Sequence, residues 1–303
     1  MTLHSNPKEH MKPAYWVQTD TRWGPLWINP FDIWVGGSFL VYGEFSPDEW
    51  KFLQGLVKPG DTVLDIGANI GGLTFPLAAA VGPTGHVIAC EPQPDVVDLL
   101  HANLLMRTSK TPITVLNKAV GATPGTINVP TQHYDQLGNF GGVEFGGRGG
   151  TEVDMITVDS LQLETLALLK ADVEGMEPDV LQGARATIAR CRPLLYVECD
   201  REHRRAELLA LVDALGYRIK YHYPPLFNPD NYRHVKHPLH HLVHTGVNPP
   251  ELLPVIRTMI QNNPPKLAEQ LIEVIGAAPK SSLIVSINLI GIPNELPEQA
   301  WER

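Results

Sequence analysis

Between Thr62 and Cys199 short apolar runs alternate with longer segments of helical period, and this alternation constrains the fold more than any other feature. Apolar runs this short suit strands buried on both faces of a parallel sheet, and parallel neighbours need a crossover, usually helical, between them. Strands are predicted at Thr62–Ile66, His86–Cys90, Ile113–Leu116, Leu168–Val173 and Leu194–Cys199. Helices are predicted at Gly72–Val81, Pro94–Met106, Pro178–Arg190 and Glu202–Leu215; the second carries its apolar stripe on Val96, Val97, Leu99, Leu100 and Leu104. Tyr217–Tyr223 and Leu283–Ile292 add two strands of β-type patterning. The expected class is α/β: a Rossmann-like, doubly wound, seven-stranded and mostly parallel sheet whose last strand is antiparallel and forms an edge.

The flanking segments read as additions to this sheet. Residues 1–58 form an N-terminal extension, with a β-hairpin around Trp23-Gly24-Pro25-Leu26 and a capping helix that starts at Ser46. There serine can cap free amides, Pro47 suits the first helical position, and Glu49 sits where a capping box places its carboxylate. Residues 59–303 form the main domain, with an insertion at 232–280 that holds a helical pair at about Pro250–Gln261 and Lys266–Ile275. The stretch Gln136–Gly150, QLGNFGGVEFGGRGG, is a glycine-rich loop able to close over a site.

A net charge of −9 argues against nucleic acid as a partner. Three scattered cysteines, Cys90, Cys191 and Cys199, form neither a disulfide framework nor a zinc ribbon. No run approaches the ~20 apolar residues of a membrane span, so a soluble, cytoplasmic protein with no membrane partner is expected.

The first strand ends in Asp65-Ile66-Gly67-Ala68-Asn69-Ile70-Gly71-Gly72. Glycine at a strand-to-helix crossing bends the chain sharply and lets a ligand approach the backbone. The spacing is not the G-x-G-x-x-G of nicotinamide enzymes, and the Gly-Lys-Ser/Thr of a phosphate-gripping loop is missing. A nucleoside without phosphates fits such a loop. The second strand ends in Cys90-Glu91-Pro92, about 20 residues later, where a carboxylate can accept both ribose hydroxyls.

Together these segments resemble the FkbM-type methyltransferases, class I enzymes that use S-adenosyl-L-methionine. The resemblance rests on YGEFS (Tyr42–Ser46), DIGANIGG (Asp65–Gly72), CEP (Cys90–Pro92) and NFGGV (Asn139–Val143). It continues through ADVEGMEPDVLQGA (Ala171–Ala184), YVECDR (Tyr196–Arg201), FNPDN (Phe227–Asn231) and IVSINLIGIP (Ile284–Pro293). It implies that Asp65, Gly67, Asn69 and Gly71 line the methionine and ribose part of the cofactor and that Glu91 holds the ribose hydroxyls. Lys118 to Gly121, with Ala119 and Val120, would lie near the adenine.

Methyl transfer is an in-line displacement in which the acceptor's proton needs a base. Asp172, at the predicted strand tip, and Glu174 are the first candidates, with Glu198 behind them and Asp200 available to hold acceptor hydroxyls. Glu177 reads as a helix cap. Asn139, Asn228 and Asn231 are further acceptor-side candidates. The expected acceptor is a hydroxyl on a sugar, glycan or natural product, with a peptide side-chain amide as the variant. A nicotinamide oxidoreductase and a non-catalytic binding module are the alternatives from other classes. His234, His237, His240, His241 and His244 suggest a metal by spacing, but Pro238 interrupts them and the resemblance offers no metal there. The insertion could serve as a lid or a homodimer contact.

Overall fold

A computed structural model describes residues 13, 15–136, 138–147, 149–225, 228, 230–235 and 287–297. The helical pair, the start of the predicted Leu283 strand, His237, His240, His241, His244 and the dimer contact expected of the insertion lie outside the described residues.

The N-terminal hairpin forms as expected, with β1 (Val17–Thr19) antiparallel to β2 (Leu26–Ile28). It is tied to the body by a reciprocal amide pair. Asn103 Oδ1 accepts from the Trp27 amide at 2.6 Å, and Asn103 Nδ2 donates to the Trp27 carbonyl at 3.0 Å. Helix α1 (Val35–Tyr42) follows, unforeseen because nearly all of it is buried and an apolar segment without a polar face shows no period. Helix α2 (Pro47–Leu56) starts where expected, but not by the expected device. Ser46 is left-handed at φ 42° and its side chain caps nothing; Glu49 lies buried, facing inward.

The Rossmann-like α/β sheet then assembles from β3 (Thr62–Ile66), α3 (Thr74–Val81), β4 (His86–Cys90), α4 (Pro94–Leu105) and β5 (Ile113–Leu116). It continues with β9 (Leu168–Ala171), β10 (Leu194–Glu198), α7 (Glu202–Ala214), β11 (Tyr217–His222) and β12 (Asn288–Pro293). The seven-stranded order is β11-β12-β10-β9-β3-β4-β5, and β12 alone runs opposite to the other six. The last strand is therefore antiparallel but not an edge. It is inserted between β10 and β11, and all six of its residues are buried.

Alternate residues on each strand feed the two faces. Val63, Val87, Leu168, Tyr196 and Ile290 pack beneath α2 and α3, whereas Leu64, Ile88, Leu169, Leu195 and Leu289 pack on the opposite face. On the first face three polar residues stand in cross-strand register: Asp65 beside Lys170, and Lys170 beside Tyr196. A polar row within an apolar face needs internal partners.

Two further features were not anticipated. A small sheet of order β6-β8-β7 is built from β6 (Ala119–Val120), β7 (Gly125–Val129) and β8 (Thr151–Ile156), which makes the glycine-rich loop the β7–β8 connection. The helix expected over Pro178–Arg190 is two helices, α5 (Glu177–Gln182) and α6 (Arg185–Cys191). They part at Gly183, where a Cβ would stand 2.1 Å from the Gly121 carbonyl oxygen. Asp159 accepts from the Ala186 and Thr187 amides at 3.0 and 2.7 Å, satisfying the new helix start.

Candidate active site

The tips of β3, β4, β9 and β10 open into a cavity of about 410 Å³, within the size range of small-molecule sites. Its position at the carboxyl ends of the strands is where open α/β sheets bind ligands.

One wall is the turn after β3. Gly67 has φ 79°, and a Cβ there would stand 1.9 Å from the Asp172 carbonyl oxygen, so only glycine lets the turn lie against the β9 tip. Gly67, Ala68, Asn69 and Gly72 face the cavity. Gly71, at φ 99°, instead lies against the Phe75 ring.

Glu91 is 3% exposed at the tip of β4 and lines the cavity. Its Oε2 accepts from the Asn69 amide and its Oε1 from the Gln93 amide, both at 3.0 Å. Each oxygen keeps a lone pair for a ligand. Burial pushes its carboxyl up to about 7, although the two amides pull the other way.

Asp65 does not reach the cavity. It is fully buried beneath the turn, where Oδ2 accepts from Thr74 Oγ1 at 2.6 Å and Oδ1 pairs with Lys170 Nζ at 3.2 Å. Lys170, 2% exposed, also donates to the Gly67 carbonyl at 2.9 Å and approaches Asp172 at 3.9 Å. Burial alone would lower its pKa, but Asp65, Asp172 and Glu49 outweigh that and hold it above the ordinary lysine range. Sequence reasoning missed Lys170. Its signal was present: a lone charge inside the apolar strand Leu168–Ala171.

Asp172, Glu174 and Glu198 converge, with a carboxylate oxygen from each within 4.8 Å of the others. Arg201 pairs with Glu174 and lies 3.5 Å from Glu144. Burial followed by the Asp172 charge raises Glu174 to about 8, against the pull of Arg201, and the same two causes raise Glu198 strongly. Glu177 accepts from the Val173 amide at 2.9 Å and from the Gly175 amide at 3.1 Å, holding the turn that presents Asp172 and Glu174. Asp200 lines the cavity and accepts from the Ile287 amide at 2.6 Å.

Asn139, Gly141, Gly142 and Phe145 bring the glycine-rich loop to the opposite wall, where Gln93 Nε2 anchors the Phe140 carbonyl at 2.8 Å. Trp34, Phe45 and Glu49 reach it from the N-terminal extension. No cavity role was expected for these three. Ala119 and Val120 are buried in β6 and are not among the cavity-lining residues. Asn228 and Asn231 stand outside the lining as well: Asn228 donates to Asp48 at 3.1 Å, and Asn231 donates to the Val235 carbonyl at 2.6 Å.

The arrangement suits a ribonucleoside: a bare glycine turn, a buried carboxylate for two hydroxyls and a cavity of matching size. The sequence profile of the Methyltransferase FkbM domain matches residues 65–219. Among solved structures, the FkbM methyltransferase of Methylobacillus flagellatus KT is 24% identical, with a TM-score of 0.42, over 58% of this chain. The chain spans 43% of that protein's length. A SAM-dependent O-methyltransferase of Thermotoga maritima is 15% identical over 83% of this chain and 67% of its own, with a TM-score of 0.38. Aeropyrum pernix fibrillarin, solved with natively bound S-adenosyl-L-methionine, is 15% identical over 60% and 70%, with a TM-score of 0.36. The profile covers the glycine turn, Glu91 and the β9 and β10 tips together. The chain belongs to the FkbM family of S-adenosyl-L-methionine-dependent methyltransferases.

Proposed function

We propose that this protein transfers a methyl group from S-adenosyl-L-methionine to a hydroxyl of a sugar, glycan or natural product. The observation that carries the cofactor half is Glu91, buried at the cavity floor with both oxygens oriented by backbone amides. It would accept the ribose hydroxyls, with the backbone of Gly67 and Asn69 alongside. Bound there, the cofactor supplies a methyl group on a positively charged sulfur.

The acceptor half draws on the remaining walls. Trp34, Phe45 and Phe145 offer flat apolar faces, while Asp172, Glu174, Glu198, Asp200 and Arg201 offer hydrogen-bonding groups. This mixture suits a ring bearing hydroxyls. Asp172 takes the acceptor's proton. Lys170 restrains it on one side, while its side chain remains partly open to the cavity. Glu174 is already held by Arg201, which suits it to positioning. Alignment of the acceptor supplies most of the barrier lowering, on the order of 7–11 kcal/mol. Residues 1–58 act as an extension that completes the cavity of the main domain rather than as a separate unit.

Calorimetry with S-adenosyl-L-methionine and its demethylated product tests the cofactor half. Both should bind wild type, and Glu91→Ala should weaken both with little change in unfolding; failure of wild type to bind either would sink the proposal. Transfer of a labelled methyl group to a panel of hydroxylated acceptors tests the rest. With the acceptor found, Asp172→Asn should keep cofactor affinity and lose about 10²-fold or more in turnover. Full activity in that variant would move the base elsewhere.

A further inference from the structure

Glu91 has two amide donors, and both donor residues also meet the glycine-rich loop. Asn69 and Gln93 give their amides to Oε2 and Oε1, each at 3.0 Å. A Cβ on Gly141 would stand 3.1 Å from Asn69 Nδ2, so the loop lies against that side chain. Gln93 holds the loop directly. Its Nε2 donates to the Phe140 carbonyl at 2.8 Å, and its Oε1 accepts from the Tyr134 hydroxyl at 3.0 Å. Tyr134 belongs to the same β7–β8 connection, and its ring centroid is 4.7 Å from that of Phe140.

Local structure does not account for this glutamine. It precedes α4, yet its side chain makes no capping bond, and glutamine is not among the preferred caps. At 2% exposure an apolar side chain of similar length would fill the space with no polar groups to satisfy. What the side chain holds accounts for it better. The loop is pinned on one side where Gly138 bonds Phe31 and Ile33, and on the other where the Gly146 amide donates to the Asn128 carbonyl. Between those pins Asn139, Gly141, Gly142 and Phe145 line the cavity, and Gln93 holds their midst at Phe140.

We infer that Gln93 is a positioning residue that carries the state of the cofactor carboxylate to the acceptor wall, so that Asn139 and Phe145 are fixed once Glu91 holds its ligand. The inference rests on the proposed function for that ligand and for the use of the wall. A ribose on Glu91 fixes both carboxylate oxygens and, through them, the two amides that donate to them. The chain from Glu91 to Gln93 then loses freedom, and the Gln93 side chain holds the Phe140 carbonyl more firmly. A wall already ordered by the first ligand costs the second less to order. Cofactor therefore binds first, and the acceptor meets a finished wall.

Amide hydrogen exchange of the full chain, read by mass spectrometry over residues 138–147, tests this without an acceptor. Saturating S-adenosyl-L-methionine should slow exchange there in wild type by about two- to tenfold, the range one neutral hydrogen bond can supply. Gln93→Met keeps the amide bond to Glu91 and loses both side-chain bonds, so its exchange should be the same with and without cofactor. A glutamine with a structural role alone would give faster exchange in both states and the same slowing factor. The ratio between the states decides, not the rate. Tyr134→Phe removes only the bond to Gln93 Oε1 and should show an intermediate ratio; it replaces Gln93→Met if that variant does not fold. No slowing in cofactor-bound wild type overturns the inference, and so does the full wild-type ratio in the variant measured. If calorimetry finds that wild type binds neither cofactor nor product, the proposed function falls, and the role of Gln93 falls with it.

Discussion

Lys170 shows how one buried charge can organise a site. It links the carbonyl of Gly67, the carboxylate of Asp65 beneath the turn and Asp172 at the β9 tip, so the cofactor wall and the candidate base share one cation. Removing one member of a buried ion pair leaves the other charge uncompensated and costs roughly 3–5 kcal/mol. Lys170→Met should therefore destabilise the protein by about that amount, read by denaturant unfolding. A loss below about 1 kcal/mol would mean that Asp65 is neutral or rescued by water. The sequence motif around Asp172 made the carboxylates legible, because their residue types and strand-tip position carry the chemistry. It did not separate Asp65, which supports the turn from below, from Glu91, which faces the ligand. Both are carboxylates at the end of an apolar strand. Only side-chain direction tells them apart.

At the scale of elements, the strands were readable because each is a short apolar run bounded by turn residues. Helix α1 was not, since burial on nearly all sides erases periodicity. The break between α5 and α6 was hidden for a different reason: it depends on contact with Gly121, more than sixty residues away in sequence. Gly183→Ala would drive a Cβ to 2.1 Å from that carbonyl, although alanine is otherwise the better helix former by about 1 kcal/mol. The substitution should lower stability by about 1–3 kcal/mol, measured by thermal unfolding, where helix propensity alone predicts a gain. Residues Ser46 and Glu49 carry a similar lesson. Their spacing matches a capping box, but the buried side chain of Glu49 is directed to the cavity, and tertiary packing overrides the local motif.

For the whole molecule, ligand-free stability should depend on pH in an unusual direction. Burial raises Asp32 to about 6 and Glu49 and Glu91 to about 7, from ordinary values near 4. Between these limits the folded protein holds protons that the unfolded chain has lost, so their contribution to stability is complete below the ordinary values and disappears as pH rises through about 7. The exposed Glu295, lowered to about 2 by Arg192, changes its contribution only in stronger acid, outside this window. The thermal midpoint without cofactor should fall from about pH 5 to about pH 8, and added cofactor should recover most at the upper end, where Glu91 is ionised. A flat or rising midpoint would show that these carboxyls ionise freely in the folded state.

The sequence by itself determined the α/β class, the seven strands of the main sheet, the glycine turn and the strand-tip placing of the carboxylates Glu91, Asp172, Glu174 and Glu198, because each follows from local period or from residue type at a strand end. Tertiary structure alone decided that β12 enters between β10 and β11, that Asp65 supports rather than lines the cavity, and that the Tyr196 hydroxyl meets His222. Those outcomes depend on which distant segments share a sheet face and on where a side chain can find a partner once water is excluded. Neither is written in the spacing of residues along the chain.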